Sequence, residues 1–87
     1  MSDRAKAWYE GFLKQIDEWE TQAAEEKKAI WKMLKHDLRH IDPSDPNLAL
    51  SLITQFAGFI LDLELDRRTD EANYLKEFFI KMCANEP

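Results

Sequence analysis

The sequence predicts an all-helical protein, on three observations. Apolar residues recur at helical spacing through most of the chain. Only two glycines and three prolines interrupt 87 residues. Two of those prolines stand three apart in Asp42-Pro43-Ser44-Asp45-Pro46, which divides the chain into two arms of similar length. The expected architecture is an antiparallel helical hairpin or a three-helix bundle. One long N-terminal helix runs through either, and dimerisation is open to complete it.

The first arm reads as one helix over about 3–40. It contains no proline, and Gly11 is its only glycine. Trp8, Trp19, Ile30 and Ile41 form one row eleven residues apart, and Phe12, Ala23 and Leu34 form the next. Eleven residues over three turns is close to the pitch of a straight helix. Acids gather between Glu10 and Glu26 and bases between Lys27 and Arg39, an order that complements the helix dipole. Glu25 to Lys28 is a polar gap where the helix is expected to be exposed or slightly bent.

Residues 41–46 form the turn, because proline disfavours helical backbone in the residue before it. A second helix follows over about 46–66, with Asp45 fitting the N-cap and Pro46 the first helical position. Leu48, Leu52, Ile53, Phe56, Ile60 and Leu63 form its core stripe. Leu50, Ala57, Phe59 and Leu61 fall off that stripe, so the helix is apolar nearly all round and needs cover on more than one side. The run 48–61 is shorter than the roughly 20 residues of a membrane span and contains Ser51, Thr54 and Gln55. No membrane span is therefore expected. Residues 70–84 are either a third helix, capped by Thr69 or Asp70, or a continuation of the second arm. The rows Leu52, Leu63, Tyr74 and Phe56, Arg67, Phe78 carry the phase across and favour continuation. All of this lies in a single helical domain, residues 1–87.

Composition narrows the function. A chain this short buries a modest core, and Cys83, the only cysteine, closes no disulfide, so a partner protein or a second copy of the chain is the expected added support. Net charge is −5, all of it from residues 42–87, which carry nine acids against four bases. No basic stripe of the kind nucleic acid selects is present, so direct nucleic-acid binding is not expected. The first residues lack the apolar core of a secretory signal, and a single thiol fits a reducing compartment; a cytoplasmic location is expected.

No catalytic constellation emerges, and neither enzyme activity nor a cofactor is expected. His36 and His40 lie one helical turn apart, as zinc ligands can, but no third ligand is assigned, and the preferred reading is two surface histidines near a helix C-terminus. Asp62, Glu64 and Asp66 alternate and so fan around a helix, without the glycine and spacing of a calcium loop. The turn Pro43-Ser44-Asp45-Pro46, followed by Leu48-Ala49-Leu50 between two helical arms, resembles the turn of type III secretion needle and rod subunits. That resemblance implies a helical hairpin that polymerises in, or serves, a secretion apparatus. The three tryptophans and the apolar segment after the turn depart from that family's pattern.

The functional expectation is a protein-interaction module acting as an inhibitor, adaptor, small chaperone or phage-type antagonist. Its apolar contact residues are expected to be Trp31, Leu50, Ala57, Phe59, Leu61 and Phe79, since large exposed apolar patches are uncommon on soluble monomers. Trp31 enters because it sits about 100° round the helix from Ile30, among lysines, where an aromatic fits an interface anchor. The alternative is acidic mimicry, in which Asp62, Glu64, Asp66, Asp70, Glu71 and Glu77 occupy a partner's basic groove.

Overall fold

A computed structural model describes residues 3–84. They form four α-helices and no strand: α1 Asp3–Gln22, α2 Glu25–Arg39, α3 Leu48–Leu65 and α4 Thr69–Ala84. The all-helical class is as the sequence predicts. The single helix over 3–40 is not formed, because the chain turns at Ala23–Ala24. The continuous second arm is not formed either, because it turns at Asp66–Arg68. A forty-residue helix would be about 60 Å long, whereas the longest dimension of the molecule is 37 Å. The two-armed hairpin implied by the secretion-subunit resemblance is therefore absent.

Two shorter hairpins replace it. In the first, the Tyr9 hydroxyl donates to the Leu38 carbonyl at 2.8 Å, and Trp19 meets Trp31 at a ring distance of 5.6 Å. Contacts that converge on the turn from both sides mean antiparallel helices. A straight rod would hold Trp19 and Trp31 about 18 Å apart along its axis, so the turn is what lets the two indoles share a core. Lys35 adds an ion pair to Asp17 at 2.8 Å and another to Glu20, both across the same hairpin. In the second hairpin, Lys76 reaches Glu64 at 2.7 Å and Phe79 packs on Phe56 at 5.4 Å.

The Asp42–Asn47 segment joins the hairpins, and its own polar groups build it. The Asp42 carboxylate accepts from the Ser44 backbone N–H and hydroxyl. Those bonds hold its pKa below the ordinary carboxylate range. Asp45 accepts from the Asn47 N–H and from the Ser51 hydroxyl. The helix starts at Leu48, two residues later than expected, since Asp45 closes a local turn around Pro46 before α3 begins.

One core joins the hairpins. Phe12 of α1 meets Phe56 of α3 at 6.1 Å. Phe78 of α4 packs on both Trp19 and Trp31, at 4.8 and 5.0 Å. Ile16, Ile30, Leu34, Leu38, Leu52 and Leu75 fill the interior and are fully enclosed.

Candidate interaction surface

The surface is best built from α3, whose two faces differ in fate. At 100° per residue, Leu48, Leu52, Phe56, Phe59, Ile60 and Leu63 occupy one side of the helix, and all six are buried. Leu50, Thr54, Ala57, Leu61 and Leu65 occupy the opposite side and are exposed. Leu50 is 62% exposed, Leu61 53% and Leu65 75%. Gly58 lies beside Ala57 at the middle of this row, and a methyl group there would touch nothing within 4 Å. The row therefore faces open space along its length, with its smallest residues at the centre.

Of the expected apolar contact residues, Leu50, Ala57 and Leu61 lie on this row. The other three do not. Trp31 is fully enclosed: its indole N–H donates to the Tyr74 hydroxyl at 2.9 Å, and its ring meets Trp19, Tyr74 and Phe78. The turn at Ala23–Ala24 is the reason, since α2 packs with a phase of its own and buries Ile30 and Trp31 together. Phe59 is only 8% exposed, in the core. Phe79 is half-buried against Phe56, a contact created when α4 folds back on α3. The sequence reading missed Leu65, which belongs to the row one turn beyond Leu61. It also missed Met33 of α2, 51% exposed, which borders a recess with Phe59, Asp62 and Leu65. The i+4 spacing from Leu61 was the available signal for Leu65.

The acidic residues are spread over α3, its C-terminal turn and α4. Asp62 and Glu64 leave α3 about 200° apart. Glu64 is paired with Lys76, and Glu71 accepts two hydrogen bonds from the Arg68 guanidinium at 2.6 and 2.7 Å. Those bonds hold the Glu71 pKa below the ordinary range. Asp62 and Asp66 share the recess bordered by Met33, and Asp70 and Glu77 are exposed on α4.

His36 and His40 are exposed neighbours, their rings 4.6 Å apart, with His40 Nδ1 at 2.9 Å from the His36 carbonyl. That contact directs one ring nitrogen back to the helix. Among the described residues no three His, Cys, Asp or Glu side chains come together in a way that could hold a metal. Another recess, of about 360 Å³, lies between α1 and α4 and is lined by Trp8, Phe12, Trp19, Lys81 and Met82 among others.

By length and composition, α3 is apolar enough to cross a membrane. In this fold a third of it is buried inside the protein. It also carries no Lys or Arg, the residues that typically anchor an amphipathic helix on an anionic bilayer. Comparison with known protein families, curated proteins and solved structures gives no match for the chain.

Proposed function

We propose that the protein acts by binding another polypeptide, and that the outer face of α3 is its contact surface. The observation that carries this reading is the row Leu50, Ala57, Leu61 and Leu65, exposed opposite the buried face of the same helix. Leucine side chains in water forgo roughly 25 cal/mol for every Å² of apolar surface left uncovered. Met33 and the recess it borders extend the row toward α2. A partner helix suits this shape better than a loop does, because the row is straight, narrow and lowest in relief at Ala57–Gly58. A protein of this kind works by occupying or presenting a surface, as inhibitors, adaptors and small chaperones do.

The test is site-specific photo-crosslinking in the source cells. A benzoylphenylalanine at position 61 is compared with one at position 14, which is exposed on α1. The expected result is one adduct formed from position 61 only. Its partner is then identified and the pair rebuilt from purified chains, and Leu61→Glu weakens that pair at least tenfold. Equal labelling from both positions would contradict the proposal.

A further inference from the structure

Resting on that reading, we infer that the partner of the α3 face is the same face of a second copy, packed antiparallel about a twofold axis at Ala57–Gly58. The row is symmetric about that point. Thr54 and Leu61 each lie three and a half residues from it, and Leu50 and Leu65 each lie seven and a half. A twofold rotation therefore sets Leu50 against the second copy's Leu65, Thr54 against its Leu61 and Ala57 against its Gly58. The largest side chains meet at the ends and the smallest at the crossing, where the two backbones approach most closely. An isologous interface needs this self-complementarity, since every contact must occur twice.

Charge selects the antiparallel direction. From Leu48 to Leu61 α3 carries no charge, and its acids, Asp62 and Glu64, are followed at once by Asp66. Two parallel helices would hold these acids side by side at the usual interaxial distance of about 8–10 Å. The antiparallel pair moves like acids about 14 to 26 Å apart along the axis, beyond the screening length of about 8 Å at physiological salt. It also brings each acidic end beside the N-terminal half of the other α3, where the helix dipole is positive and the nearest acid, Asp45, is already engaged by the Asn47 N–H and the Ser51 hydroxyl.

Size sets the strength. The row is about 23 Å long and a helix about 10 Å wide, so the pair buries less than the roughly 1,200–2,000 Å² of a standard stable interface. The structure thus assigns a weak, reversible dimer, with dissociation in the micromolar range or above.

The experiment is disulfide trapping of the purified full chain. Cys83 is replaced by Ala, and single cysteines are placed at Ala57, Leu50 or Leu65. All three sites are exposed, and circular dichroism checks each fold first. Under mild oxidation the antiparallel pair predicts that Ala57→Cys joins to itself. It also predicts that Leu50→Cys and Leu65→Cys join to each other in a mixture but not each to itself. Self-joining at both Leu50 and Leu65 would mean a parallel pair, which overturns the antiparallel arrangement and leaves the contact surface standing. Trapping at none of the three overturns the second copy as partner, and the crosslinking from position 61 then separately decides whether the surface binds anything.

Discussion

The two faces of α3 have nearly the same chemistry and opposite fates. Leu52, Phe56 and Leu63 are enclosed by the other helices, while Leu50, Leu61 and Leu65 stand in solvent half a turn away. Hydrophobicity does not separate them; the positions of the neighbouring helices do. α1, α2 and α4 all lie against one side of α3, and among the described residues nothing covers the other. An apolar residue on the inner face is a stability determinant; on the proposed reading, one on the outer face is a determinant of association.

The largest expected effect breaks the inner face. Phe56→Ala removes a fully enclosed ring that touches Phe12 and Phe79, at a cost of about 3–5 kcal/mol. That is a large share of the roughly 4–13 kcal/mol expected for 87 residues. Chemical denaturation should show the midpoint collapse. Leu61→Ala, measured at low protein concentration, should change stability by less than about 0.5 kcal/mol. Similar losses for the two would erase the distinction between the faces.

The next effect sharpens the inner side at Trp31. Tyr74→Phe deletes the acceptor for a buried indole N–H, and an unsatisfied buried donor costs about 1–3 kcal/mol. Thermal unfolding should report it, and an unchanged midpoint would show that the Trp31 bond is not formed. A gain is expected where α3 ends. Arg67 has φ 62°, and the Arg67 and Arg68 N–H groups return to the Glu64 and Leu63 carbonyls, a Schellman cap that usually takes glycine. Arg67→Gly should stabilise the fold by about 0.5–1 kcal/mol, the strain relieved less the entropy glycine loses. A loss would mean that the Arg67 side chain outweighs its backbone.

The smallest effect is in acid. The hydrogen bond from Lys35 holds the Asp17 pKa below its usual value, and Asp17 and Glu20 hold the Lys35 pKa above its own. A lowered carboxylate contributes stability above its unfolded pKa and loses it as pH falls through the folded one; a raised amine contributes below its unfolded pKa and loses it as pH rises through the folded one. The hairpin α1–α2 is thus fully supported between about pH 5 and 10. Lys35→Met should flatten part of the acid loss seen in urea titrations below that window. Asp17 is half exposed, so solvent keeps the effect small.

Much of this was legible in the sequence, and what was not has a common cause. The turn at Asp42–Pro46 could be read because proline and aspartate dictate it locally. The exposed row was largely readable because Leu50, Ala57 and Leu61 fall off the core stripe. The turn at Ala23–Ala24 could not be read. Alanine is the best helix former, no side chain caps α2 there, and the eleven-residue rows run straight through. Contacts far apart in sequence impose it: Trp19 on Trp31, Tyr9 on Leu38, Lys35 on Asp17. The burial of Trp31 follows from the same turn, because its phase along an unbroken helix is not its phase in α2. The positive φ at Arg67 was silent for the converse reason, since no glycine or asparagine marks it.

The most direct measurement is solution mass by light scattering, from about 10 μM to 1 mM, at low and high salt, for the native chain and Leu61→Glu. If two copies pair through the outer face of α3, the native mass rises with concentration from 10.3 kDa toward twice that value, with little dependence on salt, while Leu61→Glu stays monomeric with an unchanged unfolding curve. A native chain that remains at 10.3 kDa throughout, or a Leu61→Glu variant that associates as well as the native one, would contradict that pairing.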